Sequence, residues 1–416
     1  MSGETTVAAA TGLFKTVYGT KLNDVRPVSS VIQDRWAFLG AKRVGATYNE
    51  GVLLQMPNGA SYLGSAGGVS ALNAAANAVS KQTSITPSEL VMREQMAYAA
   101  MARAVSEGEA AFKSLTSETI VGMKSAHHNR VEASLLHGQR GYGTVASVAA
   151  SGSNGAVTFT DATWAPGMWW AFGVGSRWDS FTGSTKNNAT GVLTVVSISA
   201  SSKTVVFSYT GTLGSEVAAG DILYPQGAYD GTTHSDMLGL MSQAGNTGSM
   251  FGIDAATYSN WLGNTADFAG VATYSKFEAE FGNLRDRGAD GTLVAFLPNK
   301  TFSQLAVELA NLRIIGATSQ GKQGFKTLSY DSADVGAVEL VKHPFMMQGE
   351  ALVVPSSAIL RSGSTDVTMG IPGNASTGDV FMYVPGSNAV EIQSFSDQFV
   401  LDRKPNHSLV ITGITG

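Results

Sequence analysis

Residues 106–138 read SEGEAAFKSLTSETIVGMKSAHHNRVEASLLHG, and the rest of the chain is organised around them. Ser106 with Glu109 three residues on is a capping box, in which each side chain satisfies a backbone N–H at the start of a helix. Behind it Phe112, Leu115, Thr119, Met123, Ala126, then Ala133 and Leu136 recur at spacings of three or four, interrupted only around Arg130. Running to His137, such a helix has about 30 residues and a length of roughly 45 Å, where ~11 residues is usual. It is long enough to serve as a spine.

Upstream, Ser88 opens a second helix signal over Glu89–Val105, with the helix formers Met92, Glu94, Met96, Ala99, Met101 and Ala102. Before that, residues 42–87 read as two strands joined by a long excursion. The first lies within Arg43–Met56, Pro57-Asn58-Gly59 is turn chemistry, 59–80 is mostly Gly, Ala, Ser and Asn, and Lys81–Ile85 returns. Residues 1–35 lack periodicity, and Pro27 among Val25, Val28, Val31 and Ile32 predicts an extended arm.

Downstream the pattern changes at Gly138. To about Gly227 the chain is Gly, Ser, Thr and Val with aromatics, and strands are expected at Val145–Ala149, Ala156–Thr160, Trp169–Val174, Leu193–Ser199, Val205–Tyr209 and Ile222–Tyr224. This is a small all-β insertion whose ends should lie close together, and its aromatic residues predict a core independent of the spine. Beyond Gly231 the pattern is mixed: helices at Ser275–Arg287 and Thr301–Asn311, and strands at Leu293–Leu297, Leu328–Tyr330, Val338–Val341 and Ala351–Pro355. Strands at Val380–Val384, Val390–Phe395 and Leu409–Ile414 end the fold, and no internal repeat appears. The fold class is α+β.

Composition narrows the function. The 416 residues suit two or three domains. Charged residues are only 14%, where about 25% is usual, so the surface is unusually neutral. The 48 Gly supply abundant turns. A net charge of −5 argues against a protein that coats nucleic-acid phosphates. The absence of Cys removes disulfides, zinc–thiolate sites and thiol nucleophiles. Met1–Thr6 carries no basic and apolar leader pattern, and no run of ~18 apolar residues predicts a membrane span.

No constellation of catalytic, cofactor-binding or metal-ligating residues is predicted. Gly316-Ala317-Thr318-Ser319-Gln320-Gly321-Lys322-Gln323 follows half of a phosphate-binding loop, but Gln323 stands where Ser or Thr must ligate magnesium, and a glycine-rich loop tip explains it. Ser319 and Lys322 have Ser-x-x-Lys spacing without the companion motifs. His127 and His128 are adjacent on the spine, about 100° apart, which is wrong for clamping one metal and suits solvated or interfacial histidines. His137, His343 and His407 are isolated, and His234 with Asp236 has too few ligands near it. Glu278, Glu280 and Asp286 lie among Lys276, Arg285 and Arg287, as on a solvated helix face. Trp164, Trp169, Trp170 and Trp178 form either the core of the insertion or a ligand platform. Asn188-Ala189-Thr190 is a glycosylation sequon without a secretory route.

The order of parts resembles the major capsid proteins of tailed bacteriophages with the Hong Kong 97-type fold. Local phrases also fit: Ala219-Gly220-Asp221-Ile222-Leu223-Tyr224, Leu238-Gly239-Leu240, Gly252-Ile253-Asp254, Leu284-Arg285-Asp286-Arg287-Gly288 and Val294-Ala295-Phe296-Leu297-Pro298. The resemblance implies an N-terminal arm at 1–41, an extended loop at 42–87, a peripheral domain with its spine helix at 88–138 and an inserted β domain at 139–227. It further implies a connection at 228–266, an axial α/β domain at 267–355 and closing strands of the peripheral domain at 356–416. It implies hexamers and pentamers of an icosahedral shell around double-stranded DNA, assembled in the host cytoplasm with a separate scaffolding protein and a portal. A decoration protein would be a further partner, contact with packaged DNA would be non-specific, and no membrane is involved. Some relatives weld neighbours by an isopeptide bond from a Lys on the extended loop, but Val44–Ser80 contains no Lys and Lys81 lies at the base. Two other classes compete. A surface-layer or binding protein would need a secretion signal, and an enzyme would need titratable groups that converge, which six scattered His do not suggest.

Overall fold

A computed structural model describes residues 29–40, 47–63, 71–97, 109–189, 191–313, 327–370, 381–383, 385–386 and 388–415. The spine is a single helix, Glu109–His137; Ser106 of the expected cap lies outside the described residues. Its last turns are buried on every face, residues 131–138 without exception, so no solvated stripe remains and the polar Glu132, Ser134 and His137 are enclosed with the apolar residues. Among the described residues it is enclosed by a short helix at Val31–Arg35, a five-stranded sheet, the β-rich segment that follows and the short helix Leu240–Ala244.

Ser88–Ala97 is a strand, not the predicted helix. It runs antiparallel along Ala389–Asp402, from Ser88 opposite Gln398 to Ala97 opposite Ala389. Ten rungs of this ladder outweigh a helix propensity of a few tenths of a kcal/mol per residue. The remainder of that predicted helix, 98–105, lies outside the described residues. The same sheet holds Ile359–Met369, which pairs with Ala389–Asp402 on one side and, in parallel, with the two-residue strand Leu39–Gly40 on the other. The arm is likewise not wholly extended. Val31–Arg35 is helical, and Ile32 and Trp36 are buried in the main core.

The β-rich segment forms a seven-stranded sheet of residues 145–225. Of Trp169–Val174, expected as a strand, Trp169–Phe172 belongs to the helix Pro166–Phe172. Pro166 starts it with a preset φ, and Gly173 ends it at a φ of +69°. Arg177–Thr182 is an additional strand, between Ile222–Pro225 and Leu193–Ser199. Main-chain bonds from Tyr142 N to Leu223 O and from Val145 N to Asp221 O, both 2.8 Å, hold the start of the segment beside its last strand, and beyond it Gly239 N–H donates to Gly138 C=O at 3.1 Å. A Cβ on Gly138 would lie 2.1 Å from Met237 O, so only glycine allows this approach. The expected independence of its core does not hold. Trp164, Met168, Trp169 and Trp178 join Val131, Leu135 and Phe345 in one continuous buried cluster. Main-chain bonds from Gln348 N to Trp164 O and from Gly349 N to Ala162 O stitch the boundary.

The third unit is a six-stranded mixed sheet with Leu293–Leu297, wholly buried, near its centre. The helices Tyr274–Asp286 and Asn299–Arg313 accompany it, the first presenting Phe277, Phe281 and Leu284 to its core. Leu409–Ile414, expected to close the same unit as residues 389–402, instead lies in this sheet. It pairs in parallel with Asn264–Gly270 and antiparallel with Ala351–Pro355.

Candidate functional site

Of the residues singled out by sequence, several of those described serve the packing of the fold. Among the described residues no group of three or more His, Asp or Glu could hold a metal ion, and no helix is long and apolar enough to cross a membrane. The phosphate-loop-like stretch 316–323, with Ser319 and Lys322, lies outside the described residues. Trp164, Trp169 and Trp178 are core residues, with Trp169 and Trp178 ring centroids 4.5 Å apart, whereas Trp170 is about half exposed. Asn188 is buried, its Oδ1 accepting from Ser180 N at 2.8 Å. Glu278 is not simply solvated: it receives Ser332 Oγ and Ala333 N at 3.0 and 2.8 Å and so holds a turn between two strands.

The histidines differ most from expectation. His127 is not solvated but fully buried, its Nδ1 2.7 Å from Ser394 Oγ and its Nε2 2.8 Å from Ser396 Oγ. Burial, with His128 and Arg130 nearby, lowers its pKa to about 4. His128 turns to Gln33 Oε1. His137 is buried beside Phe345 O, and burial lowers its pKa to about 3. His234 stacks on Tyr229 at 4.1 Å rather than pairing with Asp236. Asp236 is enclosed by Ser134 Oγ, Tyr142 OH and Met237 N, and burial raises its pKa to about 6.

The sequence reading missed Glu132. Its carboxylate has no exposure and accepts from Ile32 N, Gln33 N, Gln33 Nε2 and His343 Nε2, tying the arm helix and the end of the strand Gly336–Lys342 to the spine. A Glu one turn before the end of an apolar helix is the sequence signal, but its partners lie about a hundred residues upstream and two hundred downstream.

The hairpin Tyr48–Gln55 and Val79–Ile85 contributes little to a core over most of its length. Its root is anchored. Leu54 packs with Met250, Ile253 and Trp261, Ile85 packs with Leu360, Phe399 and Leu401, and Arg403 pairs with Glu50 at 2.6 Å. Beyond the root it offers apolar side chains to solvent: Met56 is 78% exposed, Tyr62 97% and Leu72 74%, with Leu53 and Leu63 also exposed. Such a cluster on a projection is more than the scattered apolar exposure of an ordinary surface, and it is suited to contact with another chain.

No protein-family model and no curated protein matches the chain. Solved structures do. The cyanophage A-1(L) capsid asymmetric unit matches with a TM-score of 0.58 and 11% identity, covering 99% of this chain and 100% of that one. The capsid of the native GTA particle matches with a TM-score of 0.54 and 7% identity over the full length of both chains. The empty GTA particle capsid gives 0.53 and 8%, again over the full length of both. From arm helix to final strand, the chain has the fold of a phage capsid protein.

Proposed function

We propose that this chain is a major capsid protein of the Hong Kong 97 type, building hexamers and pentamers of an icosahedral shell around double-stranded DNA. The observation that carries the reading is whole-length similarity to capsid chains, joined to a hairpin on which Met56, Tyr62 and Leu72 stand exposed. The role is non-enzymatic. In this reading 1–41 is the arm, 42–87 the extended loop, 88–138 the spine-bearing peripheral domain and 139–227 an inserted β domain. Residues 228–266 connect back to the body and 267–355 form the axial domain. The tail 356–416 closes the peripheral sheet and lends its last strand to the axial one.

The physics agrees. Hundreds of adjacent copies tolerate low charge better than a strong single sign, and weak acidity lets packaged DNA slide instead of adhering to a basic wall. Assembly proceeds in the host cytoplasm with a separate scaffolding protein and a portal, and a decoration protein is a candidate partner on the finished virion. Sedimentation velocity of the purified chain tests the reading: capsomer-sized or larger species are expected, and a monomer of 43.2 kDa at every concentration overturns it.

A further inference from the structure

A cleft opens where the strand Ser88–Ala97 passes over the spine helix beside the turn that follows Phe172. It consists of two adjoining concavities of ≈ 270 and ≈ 320 Å³ that share Leu90, Val91, Arg130 and Gln226. Arg93 and Arg177 line the outer one with Arg130. Arg130 is the residue that interrupts the apolar stripe of the spine, and its guanidinium lies 5.2 Å from the centre of the Phe172 ring. Among the described residues no carboxylate pairs with it or with Arg177. Arg93 reaches Glu391 only at 3.9 Å. Burial lowers the pKa of Arg130, as expected for a cation withdrawn from water without a counter-charge.

A half-buried guanidinium that lines a cleft with only an aromatic face as partner is a ready contact for an anion. The anion is not Asp236, which lines the inner concavity but is already held by Ser134, Tyr142 and Met237 N. Leu90, Val91 and Phe172 give the cleft apolar walls.

We infer that this cleft is a carboxylate-binding site that receives an acidic side chain of a partner polypeptide, with Arg130 and Arg177 taking the carboxylate and Leu90, Val91 and Phe172 an adjacent apolar side chain. A nucleic acid is disfavoured because cations line only the outer concavity while Glu89 and Asp236 line the inner one, so a run of phosphates meets a repulsion that a single carboxylate held at the outer end does not. A single carboxylate flanked by apolar residues matches both the charge and the walls. The inference is independent of shell formation, since binding is measurable on the full-length chain whatever its state of assembly.

The probe is acetyl-Leu-Glu-Leu-amide, titrated onto the full-length chain by saturation-transfer NMR, with the Leu-Gln-Leu analogue and a short DNA duplex as controls. Saturable binding of the Glu peptide is expected, weakened about tenfold in the Gln analogue and in Arg130→Gln, and partly restored in Arg130→Lys, as for a charge-assisted contact. Arg177→Ser, at an exposed position that leaves folding intact, is expected to weaken it severalfold, and the duplex is not expected to compete. Absence of saturable binding, equal binding of the two peptides, an unaffected Arg177→Ser, or displacement by the duplex would each overturn the assignment.

Discussion

His343 Nε2 lies 3.0 Å from Glu132 Oε1, and neither side chain has any exposure. The same carboxylate takes the first N–H groups of the arm helix, with Ile32 N at 2.6 Å. A helix start has unsatisfied donors and favours negative charge, so a buried Glu is a natural dock for it. Three segments far apart in sequence are thereby registered on one side chain, which fixes where the arm leaves the body.

Removing that carboxylate strands several buried donors at once. Glu132→Ala is expected to cost about 3–5 kcal/mol, the range for breaking a buried pair by deleting one partner. Glu132→Gln, which keeps an acceptor, should cost less. Chemical denaturation of the soluble chain checks the order, and an Ala variant as stable as the parent would show that the arm is not held there.

His127 makes stability depend on pH. Its pKa in the folded chain is about 4 against an ordinary 6.5, so the folded state resists a proton that the unfolded state accepts. Its contribution is complete above pH 6.5 and is lost as the pH falls through 4. At about 1.4 kcal/mol per pH unit it is worth roughly 3 kcal/mol across that window. His137, lowered to about 3, acts in the same direction. Asp236 and Asp402, raised to about 6 by burial, act oppositely: their folded forms hold protons more tightly, so stability from them falls as pH rises from about 4 to 6. Comparing Tm for the parent and His127→Gln from pH 4.5 to 7.5 isolates one group. The gap between the two should narrow towards acid, and a gap independent of pH would contradict the assignment.

The spine and the sheet of 145–225 should unfold together, because Trp169 and Trp178 sit in the same cluster as Val131 and Leu135. Trp169→Ala is expected to lower stability by about 3–5 kcal/mol. Calorimetry should show one transition moved as a whole, and replacement of 139–227 by a short linker should leave no cooperative transition. Two separate transitions in the parent would restore an independent insertion.

How much of this was legible in the sequence depended on how local the deciding forces were. The spine helix and Leu293–Leu297 carry their own evidence, a repeating stripe in one and five consecutive apolar residues in the other. Ser88–Ala97 has residues that favour a helix, but its partner strand lies some three hundred residues away. Ile359–Met369 escaped notice because Arg361 and Ser362 are polar yet buried, and Arg361 Nε reaches Gln398 Oε1 at 2.8 Å only once the sheet exists. His127 and Glu132 were hidden for the same reason: a buried polar side chain is explained by partners that a sequence window does not contain. The glycine-rich hairpin was readable because turn chemistry and the returning strand are contiguous.

The hairpin has no Lys between Val44 and Ser80, and Lys81 sits in its returning strand near the root. A covalent weld to a neighbour therefore lacks its amine nucleophile at the tip. Boiled, denatured particles should run as a single band near 43.2 kDa, and a ladder of multimers would show that another amine performs the reaction.

Electron microscopy of the purified chain tests the central claim most directly. Rings, curved sheets or closed shells are the predicted result, with uniform shells requiring a co-expressed scaffolding protein. A field of dispersed single subunits, with or without that partner, would contradict the reading of this chain as the building block of a capsid.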